Sequence, residues 1–78
     1  MSNWTIITQP GCKPCAEAKE ILRSRGIVAR EFDITKDAAI KDFLKALLPS
    51  PTTPQVFVDG FRIGGRDELK RYFDVRGD

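Results

Sequence analysis

Apolar and polar positions along the chain follow two periods, and each switch between them marks a new element. Residues 4–8, Trp-Thr-Ile-Ile-Thr, form a short apolar run of strand length, apolar enough for a central strand. The period then becomes helical. Cys15, Ala18 and Leu22 fall at i, i+3, i+7 in an amphipathic segment over residues 16–25, so they share an inward face. Gly26 suits the position just past that helix. Residues 27–34 read as a second strand, with Val28, Phe32 and Ile34 on one face and Arg30 an exception on it. Ile40, Phe43, Leu44, Leu47 and Leu48 give one continuous helical face, with Lys41, Asp42 and Lys45 pointing outward. Asp37 suits the N-cap of that helix, and Pro49 stops it. After a proline-dense loop, residues 55–58 read as a third strand, Asp59-Gly60 as a two-residue hairpin turn, and Phe61, Arg62 and Ile63 as the returning strand. Asp67 and Glu68 place acids at the positive end of a third helix, whose inward face is Leu69, Tyr72 and Phe73. Residues 75–78 read as a frayed end.

The element order is β-α-β-α-β-β-α, an α/β chain without linker, repeat or low-complexity tract. A strand–helix–strand unit of this length implies a parallel pair. At 78 residues one domain is expected, over residues 1–78. A formal charge of +2 with scattered Lys and Arg argues against a nucleic-acid partner. The apolar runs are too short for a membrane span, and no secretory signal is visible at the N-terminus. The cytoplasm is the expected compartment, and a monomer the expected state. The chain has no histidine, which excludes Cys–His hydrolases and histidine acid–base chemistry.

The chemistry centres on Cys12-Lys13-Pro14-Cys15, which holds both cysteines of the chain. A strand that runs through the turn Gln9-Pro10-Gly11 into C-x-x-C at a helix start is the layout of a thiol–disulfide site. Cysteine attacks disulfides as the thiolate, and helix N–H groups favour that anion. In such sites the thiol pKa falls from about 8.5 into roughly 3.5–7.5. Cys12 precedes the first full turn and is expected to be exposed, so it is the candidate nucleophile. Cys15 lies on the inward face and is the candidate resolving thiol. Lys13 sets a positive charge beside the thiolate, and Pro14 fits the first turn without losing an intrahelical hydrogen bond. Three other readings compete: a structural disulfide, half of a zinc site and two incidental cysteines. A loop of two intervening residues constrains the unfolded chain little. Zinc takes four Cys or His ligands, which this chain alone does not have. No metal is expected.

Three stretches, in this order, resemble the glutaredoxins, small members of the thioredoxin-like superfamily. They are the strand–Cys12-x-x-Cys15–helix unit, Thr52-Thr53-Pro54-Gln55-Val56-Phe57-Val58, similar to the family's T-V-P-x-V-F-I, and Ile63-Gly64-Gly65-Arg66-Asp67-Glu68-Leu69, similar to I-G-G-x-D-D-L. The resemblance covers nearly the whole length. It implies a thioredoxin-like (glutaredoxin) fold, a four-stranded mixed sheet flanked by three helices, of the short dithiol type frequent in bacteria and their phages. It also implies a thiol–disulfide oxidoreductase with glutathione as co-substrate and no tightly bound cofactor, acting on disulfide-containing proteins. Ribonucleotide reductase is a substrate implied by the family alone.

Site residues follow from the same resemblance. Pro54 corresponds to a cis-proline facing the cysteines, and Thr53 to the residue whose backbone pairs with the cysteinyl part of glutathione. Gly65, Arg66 and Asp67 correspond to the corner that receives the γ-glutamyl end: its carboxylate suits helix N–H groups, its ammonium the Asp67 carboxylate. Two departures stand out. The family lysine three residues before the first cysteine is Gln9 in this chain, and the family glutamine on the second helix is Lys41. Together Gln9 and Lys41 are expected to hold the glycine carboxylate in an exchanged arrangement. Between the cysteines the family has Pro-Tyr, whereas Lys13-Pro14 is thioredoxin-like. That departure keeps open a redoxin recharged by thioredoxin reductase that supplies ribonucleotide reductase. A carrier of a bridged iron–sulfur cluster is the third reading, opposed by the proline before a second cysteine.

Overall fold

The computed structural model describes residues 2–76. In chain order they form β1 (Trp4–Thr8), α1 (Lys13–Ser24), β2 (Ala29–Asp33), α2 (Ala38–Leu47), β3 (Gln55–Val58), β4 (Phe61–Gly64) and α3 (Arg66–Arg76). The strands make one mixed sheet in the order β2-β1-β3-β4. β1 runs parallel to β2 and antiparallel to β3, and β3 turns back antiparallel into β4.

β1 is central, and its side chains alternate between two apolar layers. Ile6 packs on one face with Ala18 and Leu22 of α1, Val56 of β3, and Leu69 and Phe73 of α3. Ile7 packs on the other with Leu44 of α2 and Phe57 of β3. Fully burying a side chain of this size contributes roughly 1.5–3 kcal/mol. Trp4 closes the first layer at its far end, stacked on Phe73 and edge-on to Tyr72, each with ring centroids 5.7 Å apart.

Local signals set the ends of the elements. At the end of α1 the Ile27 amide donates to the Leu22 carbonyl and the Gly26 amide to the Arg23 carbonyl, with Gly26 at φ +70°. That pattern satisfies two terminal carbonyls and calls for a residue without a Cβ. Asp37 caps α2, its Oδ1 accepting from the Ile40 amide at 3.2 Å. Asp59 and Gly60 both have positive φ in the β3–β4 turn.

Several boundaries and faces differ from the sequence reading. β2 begins at Ala29, and Val28 lies before it, 94% exposed rather than sharing an inward face with Phe32 and Ile34. On α2 only Leu44 is fully buried, while Phe43 and Leu47 are nearly half exposed. Leu44, with Ile40 and Leu48, packs on Ile7, Phe32 and Phe57 of the sheet, and Phe43 and Leu47 lie at the edge of that face. α1 begins at Lys13, with Cys12 as its cap and Pro14 in its first turn, as the sequence reading places them. α3 begins at Arg66 and continues through Val75, which was expected to fray. Residues 77 and 78 of that expected frayed end lie outside the described residues.

Candidate active site

The turn after β1 delivers Cys12 to the N-cap of α1, with Gly11 at φ +72° allowing the reversal. Cys12 Sγ accepts from the Cys15 amide at 3.1 Å. The sulfur therefore occupies the place of a capping oxygen, at the positive end of the helix, where a thiolate is stabilised. Lys13 and Pro14 fill the first turn, both exposed. Cys15 is 2% exposed and packs inward. The two sulfurs are joined as a disulfide, with Cα atoms 5.2 Å apart. Cys12 is half-buried rather than exposed as the sequence suggested, because the loop before β3 covers one side of it.

That loop supplies the second part of the site. The Thr53–Pro54 peptide is cis, and Pro54 is buried. The Thr53 carbonyl oxygen lies 3.6 Å from Cys12 Sγ, and the Thr53 hydroxyl donates to the sulfur at 3.5 Å. The third part is the β4–α3 corner. Gly64 has φ +125°, and a Cβ on it would stand 2.8 Å from Glu68 Cγ, so both the conformation and the space call for glycine. A Cβ on Gly65 would stand 3.5 Å from the Pro54 carbonyl oxygen, so the corner abuts the cis-proline loop. Gly65 caps α3: its carbonyl accepts from the Leu69 amide at 2.9 Å, and its own amide donates to Glu68 Oε1 at 2.8 Å. The Glu68 side chain thus completes one half of a capping box.

Two ion-pair networks flank the dithiol, and neither was visible in the sequence. On the α3 side the Arg66 guanidinium bridges Glu17 of α1 and Asp67, at 3.1 Å from the latter. The Glu17 and Asp67 carboxylates hold the Arg66 pKa above its ordinary range. On the β2 side Lys19 of α1 pairs with both oxygens of Glu31, at 3.4 and 3.2 Å. The buried Thr8 hydroxyl donates to Glu31 Oε2 at 2.8 Å. That hydrogen bond first, and Lys19 second, hold the Glu31 carboxyl below the usual glutamate value. A cavity of about 250 Å³ opens there, lined by Gln9, Cys12, Cys15, Lys19, Glu31 and Asp33 among others.

The fold therefore brings Cys12, Cys15, Thr53, Pro54, Gly65, Arg66 and Asp67 into one contiguous region. Gln9 sits beside the cysteines on the cavity side. Lys41 is exposed on α2, and no hydrogen bond or ion pair joins it to Gln9. The Asp67 carboxylate is engaged by Arg66. Among the described residues no helix is long and apolar enough to cross a membrane.

The glutaredoxin family profile matches residues 4–63. Glutaredoxin 3 of Escherichia coli is 36% identical over 77 residues, covering 99% of this chain and 92% of that one. The hybrid peroxiredoxin hyPrx5 of Haemophilus influenzae is 42% identical over 69 residues, 88% of this chain, but this chain spans only 28% of that protein's length. Among solved structures, glutaredoxin 1 of Francisella tularensis, complexed with cacodylate, superposes with a TM-score of 0.82 at 29% identity, over the full length of both chains.

Proposed function

The chain belongs to the glutaredoxin family of thiol–disulfide oxidoreductases, and we propose that within it this protein is a glutathione-dependent reductant of protein disulfides and glutathione mixed disulfides, working through Cys12 and Cys15. The Cys12 thiolate attacks a substrate disulfide, forming a mixed disulfide and releasing one substrate thiolate, which takes up a proton. The Cys15 thiolate then attacks Cys12 Sγ, expels the second substrate thiol and leaves the Cys12–Cys15 disulfide. One glutathione thiolate opens that disulfide to a Cys12–glutathione adduct, and a second releases the reduced site as glutathione disulfide. Every step is thiolate exchange, so thiolate fraction and leaving-group pKa set the rates. No tightly bound cofactor takes part.

One observation carries the glutathione reading. Thr53 lies against Cys12 Sγ, and the next residue, Pro54, lies against the Gly65 corner. A short extended thiol peptide joined to Cys12 would run along Thr53 and reach the α3 N-terminus. There the Arg66 and Asp67 amides suit a carboxylate, and the Asp67 side chain an ammonium. Lys41, assisted by Gln9, supplies the charge for the other carboxylate, in the place of the family's loop lysine. Protein disulfides are the macromolecular substrates, in the cytoplasm, with ribonucleotide reductase a candidate. A peroxiredoxin is another, since the Haemophilus relative is a hybrid peroxiredoxin.

Pro14 directly before Cys15, together with Gln9 in the lysine position, favours a second reading: recharging by thioredoxin reductase. The deciding experiment is reduction of the glutathione mixed disulfide of a small thiol with NADPH as electron source. The electrons are supplied once through glutathione and glutathione reductase, and once through thioredoxin reductase. Turnover with glutathione alone supports the first reading. Turnover with thioredoxin reductase alone overturns it and leaves the Gly65 corner as a helix start only.

A further inference from the structure

Cys15 is buried, and the first thiol exchange leaves it as the group that must ionise next. Its surroundings differ on its two sides. The sheet order puts β3, β4 and the Gly65 corner on one side of β1, and β2 on the other. On the β2 side Cys15 borders the 250 Å³ cavity, together with Lys19, Glu31 and Asp33. Thr8, the last residue of β1, is part of its wall.

The charged groups around Cys15 are Lys13, Glu17 and Lys19 on its own helix, Glu31 and Asp33 on β2, and Arg66 at the start of α3. Glu17 is tied to Arg66. Asp33 turns back on Thr35, accepting from its amide at 2.8 Å and its hydroxyl at 2.6 Å. Lys13 is exposed in the first turn. Lys19 stands one helical turn after Cys15, and helical side chains lean toward the N-terminus, so its stem lies back over the Cys15 position. Glu31 fixes the ammonium with contacts to both oxygens. Thr8 holds Glu31 from the buried side and takes up part of the carboxylate's charge by donating to it. The result is an anchored cation at the rim of the cavity that Cys15 borders.

We propose that Lys19 is a positioning residue for the second thiol exchange: held by Glu31 and Thr8, its charge favours the Cys15 thiolate that attacks the Cys12 mixed disulfide. The Cys15 thiol gives its proton to water in the cavity. The thiolate's electron pair forms the Cys15–Cys12 bond, and the bond from Cys12 to the substrate sulfur breaks. The departing thiolate takes a proton from solvent, so atoms and electrons balance without a further oxidant or reductant. A unit charge about one helical turn away, in a half-hydrated setting, changes such an equilibrium by roughly threefold to tenfold.

The inference rests on Cys12 as the attacking and Cys15 as the resolving thiol, but its test needs no glutathione. In a Cys12→Ser background Cys15 is the only thiol, and its ionisation is followed by thiolate absorbance against pH. Lys19→Gln, Lys19→Arg and the exposed control Arg23→Gln are compared. The expected result is a titration moved to higher pH by Lys19→Gln, restored by Lys19→Arg and unmoved by Arg23→Gln. In the dithiol protein, closure from a preloaded Cys12 mixed disulfide slows threefold to tenfold at neutral pH in Lys19→Gln, with its pH profile moved alkaline. An unmoved Cys15 titration overturns the proposal. So does equal slowing of Cys12 exchange in a Cys15→Ser background, because the charge would then act on the site as a whole. If the titration moves but glutathione supports no turnover, the proposed function fails and this inference stands.

Discussion

Thr53 meets Cys12 across 41 residues of sequence, its hydroxyl 3.5 Å and its carbonyl oxygen 3.6 Å from the sulfur. The two groups have opposite electrostatic effects on a thiolate. The hydroxyl donates and favours the anion, whereas the carbonyl oxygen suits a protonated thiol. Thr53→Val removes the donor and keeps the backbone. Because sulfur is a weak acceptor, a loss of about 0.5–1 kcal/mol is expected, or roughly twofold to fivefold slower attack by Cys12 at neutral pH. The pH–rate profile of the first exchange would move to higher pH. An unmoved profile would show that the helix N-terminus alone sets the thiolate.

The two cysteines separate by variant. Cys12→Ser abolishes all turnover, because Cys15 is 2% exposed and reaches no substrate. Cys15→Ser retains reduction of glutathione mixed disulfides and loses most reduction of protein disulfides. Parallel assays on a small mixed disulfide and on a disulfide-bonded protein check this. Comparable loss of both activities in Cys15→Ser would contradict the division of labour.

Lys41 and Lys45 are both exposed on α2, one turn apart. If Lys41 carries the charge that replaces the family's loop lysine, Lys41→Ala raises the KM for glutathione about threefold to tenfold, and Lys45→Ala leaves it near that of the parent. These factors correspond to a partly screened surface charge contact. Equal effects of the two substitutions would sink the assignment.

Glu31 is held below its ordinary pKa of 4.5, chiefly by the Thr8 hydroxyl. Asp33 is lowered as well, by the Thr35 hydroxyl and amide. A carboxyl whose pKa falls on folding binds fewer protons in the folded than in the unfolded state. Its stabilisation is full above the unfolded value and is lost as pH falls through the folded one. Melting temperature is therefore expected to be flat near neutrality and to fall on acidification below about pH 4.5. Thr8→Val would flatten part of that fall. A melting profile unchanged by Thr8→Val across that window would show that this hydrogen bond does not couple to folding.

Gly64 and Gly60 both have positive φ, but only Gly64 lacks room. Gly64→Ala combines a disfavoured backbone with a clash against Glu68, whereas Gly60→Ala meets nothing within 4 Å. Strained positions of this kind cost of order 1–3 kcal/mol. Denaturant titration should place Gly64→Ala at the upper end of that range, or beyond it, and Gly60→Ala at the lower end. Gly64→Ala should also raise the KM for glutathione, because the corner carries the α3 N-terminus.

The local features of this fold were legible in the chain itself. Asp37 caps α2, Gly26 ends α1, and Asp59 and Gly60 turn the hairpin, each acting through a few neighbouring residues, so sequence alone determined them. The same holds for Cys12 and Cys15 at a helix start, one at the cap and one on the apolar face. Family resemblance added the cis bond before Pro54, which no local signal identifies. Tertiary structure decided what depends on register and packing. Val28 faces solvent because β2 is an edge strand that starts one residue later. Phe43 and Leu47 stay half exposed because they lie at the edge of the face that α2 packs on the sheet. Arg66 finds Glu17, and Lys19 finds Glu31, only because the sheet fixes how α1 sits against α3 and β2. Charged side chains on a solvated face carry no periodicity that names their partners. Their pairing is set by the crossing of elements far apart in sequence, and so is the contact of Thr53 with Cys12.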